Sequence, residues 1–368
     1  MSLRVAGRVW VLMLLLSVMT AAVARAEAPA ESRRYFVGYV GDESRRVQAE
    51  LTFGETTVGG RYFYDKVGKP LELSGKIADP TASHSLREPV VTMEERPSPL
   101  PDARRGEKPG PATGRFRGRS TANFDVVEGT WTSADGKRSL PFRLIAVAAS
   151  ETVETRRDDD RRATATYPVF TVDGVLERHV TRTLRTESAE WLKDLRAEWD
   201  RDDKAARDPK AKADPKVRRI DVESTDWSVA WYAEGVVSLR GLTYWDGGGA
   251  HPNHALSGRT FILSGGKAAE AKLADLFRRG SDWRRAVAGL VMADLRRQKA
   301  SLVLGGEVKD LSEKDLAAWV VTPAGIEFDF SPYAVGCYAE GSFTVALPWE
   351  KVSALLDPAG PMGKFAKR

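Results

Sequence analysis

From Tyr35 to about Val147, apolar and polar residues alternate with a period of two, broken at intervals by glycine-containing turns. That rhythm predicts short antiparallel strands. RYFYDKVGKPLELSGKI reads as strand, turn, strand, with Leu71 and Leu73 on one face. VVTMEE, TGRFRG and NFDVVEGTWTSADGKRSLPFRLIAV continue the pattern, and Leu140, Phe142 and Leu144 alternate with Pro141 and Arg143. Together they predict an N-terminal antiparallel all-β domain over residues 33–148, a sandwich or a barrel. Arg96 to Gly114 interrupts it with five prolines and reads as a mobile loop.

Beyond the charged run ETRRDDDRR (Glu154 to Arg162), which reads as a linker, the rhythm mixes. ATATYPVFTVDG is strand-like. Val180, Leu184, Trp191, Leu192, Leu195 and Trp199 then recur at helical spacing. Asp200 to Lys216 is too polar to bury and reads as a surface excursion. RRIDVEST, WSVAWYAEG, VVSLRGLTYW and SGRTFILSGG are strands, and a second helix starts at Asp282 with Trp283, Val287, Leu290, Val291 and Leu295 on its inner face. Ser312, with Asp315 three residues on, reads as the cap of a shorter helix. WVVTPAGIEFDF predicts a hairpin, and GSFTVALPWEKVSALL a last strand and helix. Strands and helices follow no regular βαβ order, so the expected class is α+β: the all-β domain, then an α+β domain over residues 163–357 with helices packed on an antiparallel sheet.

The first 26 residues have the parts of a secretory signal: Arg4 and Arg8, an apolar run from Val9 to Val23, and Ala24-Arg25-Ala26 as a small-x-small cleavage site. The 15-residue run is shorter than the roughly 20 residues a bilayer span needs. Cleavage is therefore expected, with no membrane span left in a mature protein that is periplasmic or secreted. It would also change the charge picture: without Arg4, Arg8 and Arg25, Lys+Arg falls from 56 to 53 against 51 acidic residues, so +5 becomes about +2. Such a balance gives no basis for nucleic-acid binding. Cys337 is the only cysteine, so no intramolecular disulfide can form and packed cores must supply the stability.

Candidate chemistry concentrates in YWDGGGAHPNHAL, Tyr244 to Leu256. His251 and His254, with Asp246 as a third ligand, could form a zinc site of a metal-dependent cell-wall hydrolase. Gly247 to Gly249 and Pro252 disfavour a regular helix, however, so the spacing lacks the support that a helical HExxH has. Cys337 with His251 could form a nucleophile pair, but a lone cysteine between Gly336 and Tyr338 is more simply a packing residue. Glu327 and Asp329 alternate with Ile326, Phe328 and Phe330 and read as the wet side of an edge hairpin; Glu94, Glu95 and Asp158 to Asp160 read as solvated charge. The remaining reading is recognition: glycines let a partner approach the main chain, the imidazoles and Asn253 supply hydrogen bonds, and Tyr244 and Trp245 supply apolar contact. The loop could equally be a plain connection.

YPVF, GGGAHPNH, TFILSGGKAAEAKLADLF, GIEFDFSPYAVGCYAEG and FTVALPWEKVSALL together resemble an exported domain of unknown function. That domain is shared by RsiV-type lysozyme-binding anti-sigma factors and the non-catalytic part of PdaC-type peptidoglycan deacetylases. The likeness runs from about Ala163 to Leu356. It implies a binding module with a lysozyme-like protein or peptidoglycan as partner. Neither a deacetylase domain nor a signalling span is expected beside it. The expectation is thus a non-enzymatic envelope binding protein that uses no cofactor and no metal, with Gly248, His251, Asn253 and Tyr333 as the ligand-binding residues.

Overall fold

The computed structural model describes residues 32–78, 88–98, 110–206 and 220–363. The expected signal segment, most of the proline-rich run and most of the polar excursion lie outside the described residues.

Eight strands follow one another, each antiparallel to the last: β1 (Ser32–Val40), β2 (Arg46–Phe53), β3 (Thr57–Tyr64), β4 (Leu71–Ala78), β5 (Val90–Pro97), β6 (Gly114–Ser120), β7 (Val126–Ser133) and β8 (Ser139–Arg156). β1 also pairs with β8, from Arg34 opposite Ala149 to Val40 opposite Phe142. That pairing closes the meander into a barrel and removes its edges. Alternate residues point inward, and eight strands enclose a space that side chains can fill. Val47, Leu51, Phe53, Leu73, Met93, Phe142 and Leu144 fill it here, and Phe116 sits edge-on to both Tyr62 and Phe142 at 5.5 and 5.0 Å. The same alternation separates two neighbouring acids expected to be solvated. Glu94 stays outside with Arg96 and Arg115, whereas Glu95 is buried and accepts hydrogen bonds from the Tyr62 hydroxyl, Trp131 Nε1 (3.0 Å) and Thr113 Oγ1 (2.5 Å).

β8 does not end with the barrel. Its second half, from Ala148, pairs with β9 (Arg161–Phe170), so the charged run read as a linker forms the tip of a hairpin. Arg157 and Arg161 tie that tip to Asp203 at 2.5 and 2.6 Å. Asp203 belongs to α1 (Val175–Ala206), which buries Leu176, Val180, Leu184, Ser188, Leu192, Leu195 and Trp199 at intervals of three and four residues. The apolar ones pack on Ala163, Ala165, Tyr167, Leu239 and Phe261, each fully buried aliphatic side chain contributing roughly 1.5–3 kcal/mol. β10 (Asp221–Ala233) then returns parallel to β9, as a long helical crossover permits. β11 (Val236–Asp246), β12 (Asn253–Ser264) and β13 (Lys267–Glu270) follow antiparallel, completing one sheet of 13 strands.

On the face away from α1 lies a second, three-stranded sheet of β14 (Trp319–Thr322), β15 (Gly325–Phe330) and β16 (Phe343–Pro348). α2 (Trp283–Arg297) packs on it, with Val287, Val291 and Leu295 against Phe328 and Val345, close to the helix expected from Asp282. α3 (Ser301–Leu304) and α4 (Trp349–Val352) are single turns. Ser312 and Asp315 make the expected reciprocal hydrogen bonds, but they close a turn and start no helix. The two sheets meet around Arg240, which donates to Asp329 at 2.7 Å and Glu327 at 2.6 Å. Asp329, expected on a wet face, is therefore buried: β15 is the central strand of its sheet and has no open edge.

These findings overturn the α+β expectation of helices packed on an antiparallel sheet. The described residues are mostly β, with 47% of them in strands, a closed eight-stranded barrel and few helices. The physical reason is continuity: an 18-residue β8 carries the barrel's hydrogen bonding into the second half, and the parallel β9–β10 pair breaks the antiparallel order. The barrel and the second half are also fastened side by side. Gln48 donates to the Tyr232 carbonyl (2.7 Å) and accepts from its amide (2.9 Å), and Arg33 pairs with Asp226 at 3.0 Å. Among the described residues, no helix is long and apolar enough to cross a membrane.

Candidate functional site

The β11–β12 hairpin narrows the glycine-rich stretch to a connection of residues 247–252, since Asn253 and His254 already belong to β12, opposite Trp245 and Tyr244. Asp246 Oδ1 accepts from the Gly248 amide at 2.9 Å and starts the turn. Gly248 takes a left-handed φ of 74°, which a side chain would resist. The turn delivers His251 to the surface, with its Nδ1 2.8 Å from the Pro252 carbonyl.

The His251 ring does not stand alone. It stacks on Tyr338, with centroids 4.0 Å apart and planes 24° from parallel, and Tyr338 in turn lies 5.6 Å from Tyr333. The Tyr338 hydroxyl donates to the Pro252 carbonyl at 2.7 Å, so the connection after β15 grips the one after β11. Glu340 fixes that second connection. Its carboxylate accepts from the Ser301 hydroxyl and amide (3.2 Å) and from the Cys337 amide (2.7 Å), and the Ser301 hydroxyl foremost holds it below the usual carboxylate range. Tyr333 holds a left-handed φ of 69° and remains 53% exposed.

Sequence-expected residues divide between faces. His251 and Tyr333 meet through Tyr338, and Gly248 shapes the turn beneath. The strand's alternation puts Asn253 and Trp245 on the α1 face and His254 and Tyr244 on the other. Asn253 Oδ1 accepts from the His254 amide at 2.9 Å. His254 Nε2 lies 3.0 Å from Ser342 Oγ, so His251, His254 and Asp246 each face a different partner. Among the described residues, no three His, Cys, Asp or Glu side chains are grouped to hold a metal ion. Sequence reasoning missed Tyr338, Glu340 and Ser301. Tyr338, five residues after Tyr333 in the same turn-rich stretch, was the available signal; the Glu340–Ser301 contact spans 39 residues and had none.

Comparison with known proteins bears on the segment that carries Tyr333 and Tyr338. Residues 274–350 match DUF3298, described as a protein of unknown function. Among solved structures, a DUF3298 family member from Bacteroides fragilis NCTC 9343 is similar at 17% identity and a TM-score of 0.39, covering 60% of this chain and 98% of its own. A DUF3298 family protein from Pseudomonas aeruginosa PAO1 is similar at 14% identity and a TM-score of 0.39, covering 57% of this chain and 94% of its own. No curated protein matches the chain.

Proposed function

We propose that the chain is a non-enzymatic binding protein of the cell envelope, periplasmic or secreted, that recognises a lysozyme-like muramidase through the His251, Tyr338 and Tyr333 rings. One observation supports this above the others: Tyr333 keeps both a left-handed backbone and an exposed ring beside two further rings. A non-glycine residue in that conformation costs on the order of 1–3 kcal/mol, and such strain clusters where a surface engages a ligand. Rigid aromatic side chains supply contact area at little entropic cost, which suits them as anchors of a protein interface. The resemblance to RsiV-type lysozyme-binding proteins points to the same class of partner.

The test is capture of purified protein on immobilised lysozyme and, separately, on peptidoglycan sacculi. Lysozyme should retain the wild-type chain, and Tyr338→Ala, which removes both the stack and the grip on Pro252, should weaken retention at least about tenfold, as expected for loss of an interface anchor. Retention on sacculi alone, on neither bait, or equally by wild type and variant would contradict the proposal.

A further inference from the structure

On the opposite face of the 13-stranded sheet, α1 and β10 enclose a cleft of about 140 Å³ lined by Leu184, Glu187, Ser188, Trp191, Thr225 and Trp227. Its wall is one side of the helix: residues 184, 187, 188 and 191 follow the i, i+3, i+4, i+7 spacing, Leu184 and Ser188 belonging to the stripe that α1 buries and Glu187 and Trp191 lying beside it. Trp191 stays half-buried instead of entering the core. Its floor is Thr225 and Trp227, two residues apart on β10 and so on one face. Gly241, opposite Trp227 on β11, makes room for the indole: a Cβ there would lie 2.8 and 2.9 Å from Cζ3 and Cη2. The ring thus lies down on the sheet.

Two features show what such a cleft would take. Ser188, 8% exposed, is a polar residue in the cleft wall. Its hydroxyl borders the cleft, where a ligand hydroxyl can pair with it. At the rim, Glu187 and Arg259 are paired at 2.5 Å, and Arg259 also flanks Trp227 at 5.7 Å. Arg259 is shared with Glu270, also at 2.5 Å, so this rim carries a net negative charge, which disfavours an anionic ligand and leaves carboxylate oxygens able to accept from ligand hydroxyls.

We propose that this cleft binds one pyranose ring of a neutral glycan. A pyranose presents a face of C–H groups to an indole and a rim of hydroxyls to Ser188, Thr225, Glu187 and Arg259. Trp191 and Trp227 both line the cleft, so a ring seated in it meets an indole. This site stands on its own observations and does not depend on the His251–Tyr338 surface.

The test is titration of the ¹⁵N-labelled protein with β-1,4-linked tetramers of N-acetylglucosamine and of glucose, read on the indole N–H signals of Trp191 and Trp227. At least one sugar should shift both signals saturably, with weak, roughly millimolar affinity. Trp191→Ala, at a half-exposed helix position where alanine is well tolerated, should weaken binding at least tenfold, and Ser188→Ala several-fold. Tyr338→Ala should leave the titration unchanged. No saturable shift with either sugar, unaltered binding in Trp191→Ala, or loss of binding in Tyr338→Ala would overturn the proposal.

Discussion

The barrel and the second half share one hydrogen-bonded sheet but use it in opposite ways. In the barrel, β1 meets β8, no edge remains, and the inward residues fill the interior down to the acid Glu95, which three neutral donors satisfy. In the second half, β10 to β12 carry side chains that stay half-exposed over long stretches, and the rings of Trp191, Trp227, His251, Tyr333 and Tyr338 stand at or near solvent. The lesson is that closure and presentation compete for the same strands. A strand in the closed barrel commits its inner face to packing, whereas an open sheet clamped between a helix and a second sheet can leave its ends bare.

If the barrel is the rigid scaffold, the largest effect should come from its centre. Phe116→Ala removes the ring between Tyr62 and Phe142 and should cost about 3–5 kcal/mol in denaturant unfolding. A loss below about 1 kcal/mol would mean the interior is not packed as described. The join between halves comes next. Gln48→Ala strands the amide and carbonyl of Tyr232 and should cost about 1–3 kcal/mol. Hydrogen exchange at Tyr232 should accelerate well before the barrel opens, and unchanged exchange would show that the halves do not rely on this contact.

The smallest effect is electrostatic and confined to the open half. Glu340 has its carboxyl lowered from 4.5 in the folded chain, so its contribution is present above that value and fades as the pH falls through the lowered one. Acidification should therefore loosen the Tyr338 connection before the barrel responds, seen as a change in tyrosine signals of the 337–341 segment. Glu340→Gln should abolish that pH dependence; a variant that titrates like the wild type would assign the change to another group.

Much of the barrel was legible because its code is local. Leu140, Phe142 and Leu144 alternate with polar residues, and the inside follows from the period alone. The ring closure was not, since nothing in either strand announces that Arg34 will lie opposite Ala149. Helix α1 was legible from its stripe, but Trp191 was counted into that stripe when it stands on its flank, a distinction of one residue that periodicity does not resolve. Asp329 misled for a related reason: alternation tells which face a residue takes, not whether a half-buried Arg240 waits opposite. At the candidate site, His251 and Tyr333 were readable as surface residues, while the ring that joins them, Tyr338, required the two connections to be seen side by side.

In the proposed function, the aromatic surface on the second half meets a lysozyme-like partner while the barrel only supports it. Amide hydrogen exchange of the free protein and of the protein saturated with lysozyme tests this directly. Protection should appear in residues 247–254 and 331–342 and be absent from β2 to β7. Protection centred on the barrel strands, or none anywhere at saturating lysozyme, would contradict the account.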